Sequence, residues 1–445
     1  MYRELLALER RGKPLRVVVV GAGGSMGQGI ALQLGKVPGV RLLAAVDRNI
    51  TGAIRAAELH GHPWAIPSSS ADMAKALRDG TTIVTDDVFP LLARGRDAAD
   101  VLVESTNTVA FAARAVETAL RKHIHVVLMN AEVDCLLGPW LHQAARECGV
   151  IVTSDAGDQH GVLMRMIEEI QLWGFEIVMA GNIKGFLDRY ATPDSIAGEA
   201  RKRNLNPVMC AAYTDGTKLN IEMALVANAT GLAPACCGML GPRAQHVSEV
   251  FEKFDLQSLR KAGVVDYLLG AEPGGGVFVV GYCDDPVQQG YLNYYKMGKG
   301  PYYLFYRPYH LCHLETPYAI ASAAISRKPI FAPREESLAD VVAFAKRDLP
   351  AGAAMRIGIG GGDVYGMIAR REFCTALGAV PICLLDREQG DVARVKRRMG
   401  RDRPITWDDV ELPASALLDT YRRQEDMLRS ATPAIAALAG GGEVR

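Results

Sequence analysis

Leu15-Arg-Val-Val-Val-Val-Gly-Ala-Gly-Gly-Ser-Met-Gly27 is the stretch whose reading decides the fold. A short β-branched run that stops at glycines has the composition of a buried parallel strand. The apolar spacing of Gln28 to Lys36 then predicts a helix. Strand, glycine-rich turn and helix in that order give weight to a motif that is weak alone. Gly21 permits a tight turn, Gly23 lets backbone approach a pyrophosphate, and Gly27 permits close helix–sheet contact. The spacing is G-x-G-x-x-x-G, one residue longer than the usual fingerprint. Amides at the helix start, around Ser25 and Met26, would face the anion.

A second strand, Arg41 to Val46, ends at Asp47, about twenty residues past the last glycine, where a ribose-binding carboxylate sits in such folds. The alternation continues with a strand, Asp100 to Val103, ending at Glu104-Ser-Thr-Asn107, and a helix, Ala112 to Lys122. His125 to Met129 is a strand ending at Asn130, and a helix over Leu136 to Cys148 leads to a strand at Val150 to Val152. Such alternation predicts an open parallel sheet with ligands beyond the carboxyl ends of its strands. The expected cofactor contacts are therefore Gly21, Gly23, Ser25, Met26, Gly27, Asp47, Arg48, Thr106, Asn107, Asn130 and Glu132. Asp47 would bond a 2′-hydroxyl and repel a 2′-phosphate, which favours NAD over NADP, whereas Arg48 could accept the phosphate.

Composition narrows the class. The 445 residues carry 50 basic and 50 acidic side chains and are 49% hydrophobic, a folded chain of several domains with no basic footprint for nucleic acid. Nine cysteines without a C-x-x-C pair indicate neither a disulfide framework nor a zinc module. Met1 to Arg16 lacks an apolar core of signal-peptide length, and Met223 to Pro242 reads as a buried, turn-rich segment rather than a membrane span. A cytoplasmic protein is expected, with a small-molecule substrate and no membrane partner.

Past residue 155 glycines and prolines punctuate shorter strands, such as Glu176 to Ala180 and Gly276 to Gly281, in an α+β region. Seven of the fifteen tyrosines lie between Tyr291 and Tyr309. A Pro-marked linker, Ile330 to Glu336, precedes a smaller module with strand-like pieces, then a helix over Ala414 to Leu428 and an Ala/Gly-rich tail from Ala431. The expected α/β organisation is a Rossmann domain over 1–155, a catalytic domain over 156–330 and a small module over 337–430.

Several segments together carry a family resemblance: Met129-Asn-Ala-Glu-Val-Asp134, Ala156-Gly-Asp158, Ala191-Thr-Pro-Asp194, Ala227-Asn-Ala-Thr-Gly-Leu232, Gly241-Pro-Arg-Ala244, Gly263-Val-Val-Asp-Tyr267, Lys296-Met-Gly-Lys-Gly-Pro-Tyr302 and Arg307-Pro-Tyr-His-Leu311. The chain resembles the homoserine-dehydrogenase-like oxidoreductases and, among them, the 1-deoxy-D-xylulose 5-phosphate reductoisomerase-like family, over residues 14 to 430. That resemblance implies a C-terminal SAF-type module opening at Phe344 to Gly352, and an NADPH-dependent reductoisomerase chemistry. Two departures bear on substrate and cofactor. Gly157-Asp-Gln-His160 stands where such enzymes show Gly-Asp-Glu-Pro, and Asp47-Arg48 stands where they carry arginines.

Candidate chemistry centres on Lys184, Asp158 and His310. Lys184 follows a strand and could exchange a carbonyl proton, the competing reading being a solvated loop lysine. A lysine in this segment recurs in the resembling dehydrogenases. Asp158 would hold a substrate hydroxyl or a divalent metal, or simply cap the helix over Gln159 to Leu172. His310 would donate a proton; with His313 it forms H-x-x-H, for which no third metal ligand is identifiable. Asn228, Arg243, Lys296, Lys299 and Arg307 are the expected substrate contacts. Vicinal Cys236-Cys237 reads as buried small side chains. The expectation is an NAD(P)-dependent, homo-oligomeric oxidoreductase acting on the CH–OH group of a small polar hydroxy or keto compound, perhaps phosphorylated. The alternatives are a simple dehydrogenase of homoserine type and a cofactor-sensing protein without turnover.

Overall fold

A computed structural model of the chain describes residues 1–203, 205–334, 337–386 and 392–439. Seven strands form its largest sheet: β1 Leu15–Val20, β2 Val40–Val46, β3 Trp64–Ala65, β4 Thr82–Thr85, β5 Val101–Glu104, β6 His125–Leu128 and β7 Val152–Ser154. Their order across the sheet is β3-β4-β2-β1-β5-β6-β7, and every pairing is parallel. Setting aside the two-residue edge strand β3, this is the Rossmann order, and its topological switch point lies between β1 and β5. Val17, Val18 and Val19 are fully buried, as an all-parallel sheet covered on both faces requires.

The chain forms two compact units. The first comprises Met1–Asp134, Trp140–Gly161 and Leu311–Ala332. The second comprises Cys135–Pro139, Val162–His310 and the chain from Pro333 onward. Three consecutive domains were the expectation; instead Leu311–Ala332 returns to the first unit. The helix Cys312–Ala321 places Ala319, Ile320 and Ala321 in one core with Ile30, Ala31 and Leu34 of the helix Ser25–Leu34, and burial of that apolar face explains the return.

The second unit holds a five-stranded mixed sheet of β8 Glu176–Lys184, β9 Ala233–Pro234, β10 Val264–Leu269, β11 Val277–Tyr282 and β12 Tyr302–Arg307, in the order β12-β11-β8-β10-β9. Against it lies the helix Thr217–Thr230, buried from Thr217 to Asn228. The turn-rich segment expected at Met223 to Pro242 is thus helical for its first eight residues, because Gly231 at φ +87° ends the helix rather than anything earlier. The C-terminal strands β13 Ala339–Ala345 and β15 Val364–Arg370 form an antiparallel pair. Beside it, β14 Ala354–Met355, β16 Ala393–Val395 and β17 Val410–Glu411 make a three-stranded sheet.

This β-rich segment does not stand alone. Gly366 N donates to Thr217 Oγ1 and Ile368 N to Asn220 Oδ1, each across 2.9 Å, so β15 is fastened to the buried helix. Glu335 and Glu336 of the expected linker, and residues 440–445 of the tail, lie outside the described residues. Among the described residues no helix is long and apolar enough to cross a membrane.

Candidate functional site

In the first unit the glycine loop sits at the carboxyl end of β1. Gly21 has φ +78°, and a Cβ there would meet Ser105 C and O and Thr106 N at 2.7–2.8 Å. The loops after β1 and β5 therefore touch through backbone, and a side chain would force them apart. At Gly27 a Cβ would meet the Gly21 carbonyl oxygen at 2.2 Å, so helix and turn are in direct contact. The helix begins at Ser25 rather than Gln28, which puts Ser25, Met26 and Gly27 in its first turn. Gly24 caps it with extended backbone and no side-chain bond. An uncapped helix start facing a backbone cradle fits an anionic pyrophosphate.

Asp47 closes the adjacent side. Its Oδ2 accepts from Gly23 N at 2.9 Å and its Oδ1 from Asn49 N at 2.8 Å, which fixes a carboxylate beside the loop with lone pairs to spare. Arg48 is exposed. Gln28 Nε2 holds the Gly23 carbonyl at 2.9 Å.

Across the switch point, Thr106 N donates to Glu104 Oε1 at 3.0 Å, and Asn107 is exposed. Asn130 is largely occupied by the fold: Oδ1 accepts from Val133 N, capping the helix Ala131–Cys148, and Nδ2 donates to Thr108 O at 3.0 Å. Glu132 lies buried in that helix's first turn. Glu104 was not among the expected site residues. It is fully buried, burial pushes its carboxyl up to about 7, and among the described residues Oε2 has no partner within hydrogen-bond geometry. A strand-ending acid in an otherwise apolar run was the available signal.

Also in the first unit, Asp158 Oδ1 accepts from Gln159 N at 2.9 Å, at the start of the helix Gln159–Leu172, and lies 3.9 Å from Cys312 Sγ. Gln159 is the first residue of that helix, whereas a capping side chain takes the second or third amide, so this bond is not itself a cap. Asp155 is deeper: it accepts from Gly157 N at 2.7 Å, burial pushes it up to about 7, and the charges of Asp158 and Glu315 add to that rise.

The second unit gathers residues far apart in sequence at one end of its sheet. Lys184 ends β8 and pairs in register with Leu269, whose other neighbour is Arg243. Asn182 pairs with Val277, which pairs with Arg307. His310 Nδ1 bonds the Gly275 carbonyl at 2.7 Å, and Gly275 N bonds Ile183 O. Lys184, Arg243, Arg307 and His310 therefore share a rim. His313 belongs to the first unit, where its ring lies against Gly29. Lys296 and Lys299 lie exposed in the turn between the helix Pro286–Tyr294 and β12, where Lys296 has φ +68°. The Arg307 guanidinium covers the Tyr309 ring at 4.8 Å.

Lys184 is the half-buried last residue of β8 rather than part of a loop. Its Nζ donates to Tyr213 O at 2.8 Å. Burial pushes its ammonium below the ordinary lysine range, and the charges of Glu222 and Asp215 oppose that fall. Lys218 and Glu222, four apart on the helix Thr217–Thr230, are buried. Sequence reading missed Lys218, Glu222 and Asp215; the polar run Asp215-Gly-Thr-Lys-Leu-Asn-Ile-Glu222 at the head of an apolar helix was the signal.

Asn228 leaves the list of substrate contacts. Its Oδ1 accepts from Leu338 N and Ala339 N, and its Nδ2 donates to Ala339 O, all within 2.9 Å. A buried amide so engaged anchors β13. Cys236, expected to be buried, is exposed, and none of the nine cysteines is in a disulfide.

A family model described as oxidoreductase DRL, catalytic domain, matches residues 157–316, about a third of the chain. No curated protein matches. Among solved structures, GenD2 from gentamicin A biosynthesis, in complex with NAD, is 14% identical, with 71% of this chain and 88% of that one covered and a TM-score of 0.36. The 1-deoxy-D-xylulose 5-phosphate reductoisomerase of Zymomonas mobilis, in complex with NADPH, is 19% identical over 47% and 56%, with a TM-score of 0.34. KijD10, a 3-ketoreductase from Actinomadura kijaniata, is 16% identical over 72% and 92%, with a TM-score of 0.35. These are distant likenesses, and the architecture stands on the strand order itself.

Proposed function

We propose that this chain is an NAD(P)-dependent oxidoreductase in which the glycine corner after β1 holds the dinucleotide and Lys184 is the proton carrier. The observation that carries this reading is Lys184 itself: a strand-end ammonium depressed by burial, on a sheet rim with Arg243, Arg307 and His310. The match of residues 157–316 to an oxidoreductase catalytic-domain model supports it.

Gly21, Gly23, Ser25, Met26 and Gly27 would receive the pyrophosphate, and Asp47 the ribose diol, which favours NAD. When bound, the nicotinamide supplies or accepts the hydride. Lys184 holds the exchangeable proton at Nζ. It gives that proton to the substrate oxygen as a carbonyl is reduced and takes it back as an alcohol is oxidised. Arg243, Arg307 and the mobile-chained Lys296 and Lys299 would neutralise an anionic substrate group, and His310 is the second proton donor in line. Asp158 would hold substrate hydroxyls or a divalent metal.

A small polar hydroxy or keto substrate, an SAF-type identity for the C-terminal β-rich segment, a cytoplasmic setting and assembly into homo-oligomers belong to the same reading. The test is a titration of the full-length protein with NADH and NADPH, followed by hydride transfer across a panel of hydroxy acids, keto acids and sugar phosphates. Tight cofactor binding with turnover of at least one panel member is expected. Binding without turnover on the whole panel would favour a cofactor sensor.

A further inference from the structure

We propose that Lys346, contributed by the C-terminal β-rich segment, is a positioning residue for Lys184 that acts through Asp215. The proposal rests on the reading of Lys184 as a proton carrier only for its consequence in the reaction.

Lys346 directly follows β13 and is buried, as is Asp215, their side chains being 2% and 0% exposed. Its Nζ donates to Ala191 O at 2.7 Å, to Asp215 Oδ2 at 2.8 Å and to Gly361 O at 2.8 Å. All three ammonium protons are thereby directed, and the nitrogen has no freedom left. The other oxygen of Asp215 accepts from Thr217 N at 2.8 Å. Asp215 is thus clamped between Lys346 and the first turn of the helix Thr217–Thr230. Two residues upstream, Tyr213 O receives Lys184 Nζ at 2.8 Å. One elbow, 213–217, sharpened by Gly216 at φ +86°, therefore holds both lysines, one by a carbonyl and one by a carboxylate.

The ion pair is not needed to attach the segment. β13 and β15 are already fastened to the same helix by neutral hydrogen bonds at Thr217, Asn220 and Asn228. A buried ion pair is also a weak source of stability compared with well-packed apolar residues. What Lys346 adds is an Asp215 carboxylate held ionised and in place at the elbow that binds Lys184. The groups that act on Lys184 are Glu222 from the helix and Asp215 from the elbow, with Tyr213 O as its hydrogen-bond acceptor; Lys218 Nζ lies 5.5 Å from the Tyr213 ring. Burial works against ionised Asp215, and Lys346 is the first influence opposing that. Remove Lys346 and Asp215 takes up a proton, so Lys184 loses one of its two anionic neighbours. The C-terminal segment thereby sets the proton affinity of a lysine in a different part of the chain.

Competitive labelling of the full-length protein with trace acetic anhydride, across pH and read by mass spectrometry of the Lys184 peptide, tests this without any substrate. In D215N and in K346M the labelling midpoint of Lys184 should move to lower pH, by roughly one unit, a tenfold loss of proton affinity. The double variant D215N/K346M should show the same shift as D215N alone, because Lys346 acts only through Asp215. Thermal unfolding confirms that each variant is folded. Where K346M is not, the double variant, which buries neither charge, replaces it. An unmoved midpoint in D215N and in the double variant overturns the proposal, and so does a double variant shifted by the sum of the single shifts. Normal turnover by Lys184→Ala would remove Lys184 from the reaction and leave this result standing.

Discussion

The amide of Gly23 donates to Oδ2 of Asp47 across 2.9 Å, so the glycine loop after β1 and the acid that ends β2 are one rigid corner. Neither can be altered without the other feeling it. A Cβ at Gly23 would come within 2.9 Å of that same carboxylate. Affinity for the dinucleotide and discrimination at its ribose should therefore be coupled.

Asp47→Ala removes the acceptor of the Gly23 amide and the expected partner of the ribose diol. NADH should bind the unaltered protein more tightly than NADPH, and the substitution should narrow that gap. A charge-assisted hydrogen bond of about 1.5–3 kcal/mol corresponds to a loss of roughly ten- to a hundredfold for NADH. Fluorescence titration of both cofactors checks this. Equal or better NADPH affinity in the unaltered protein would remove Asp47 as the discriminating residue.

Gly23→Val places a branched side chain against Asp47 and against the Gly52 Cα, 3.2 Å from the ideal Cβ. Cofactor affinity should collapse while the sheet, built on other contacts, stays folded. Circular dichroism beside the titration separates the two effects. Unchanged affinity would place the dinucleotide elsewhere.

Lys184→Ala should lower kcat and kcat/KM alike, by roughly 10²–10⁴-fold, the range for a general acid or base. Cofactor affinity should barely move. Lys184→Arg keeps the charge and gives up an easily shared proton, so it should restore binding more than rate. A higher KM with kcat intact would make Lys184 a binding residue and leave His310 as the next proton donor to test.

Glu104 gives a pH-dependent prediction. Its folded value, about 7, lies above the ordinary 4.5 because burial disfavours the charge. The folded state therefore binds the proton more tightly than the unfolded state. Stability contributed by the neutral carboxyl is fully present below about 4.5 and is lost as pH rises to about 7. Glu104→Gln keeps an acceptor for Thr106 N and cannot ionise. Relative to the unaltered protein it should gain up to about 3 kcal/mol at pH 8 and little or nothing at pH 4. Urea unfolding at the two pH values decides it; a gain of equal size at both would show that Glu104 does not titrate on unfolding.

Local chemistry was legible where the signal is local. The run of valines before Gly21 dictated β1, and the positions of Gly21, Gly27 and Asp47 dictated the corner they form. Where the sequence was silent, the cause was again physical. The helix start moved from Gln28 to Ser25 because Ser25, Met26 and Gly27 carry no helix-specific pattern, and their conformation follows from packing against Gly21. Asn228 reads in sequence as a polar residue in an apolar helix, which suits a ligand as well as a strand 111 residues away.

By itself, then, the sequence determined the Rossmann sheet and its glycine corner, because strand patterning and turn geometry act over a few neighbouring residues. Only the tertiary structure decided which charges share a buried site. Lys346 reaches Asp215 across 131 positions, and Lys184 reaches Tyr213 across 29. The desolvation that lowers the proton affinity of Lys184 is created by the helix and strands packed around it. It has no counterpart in the composition of the strand that carries the lysine.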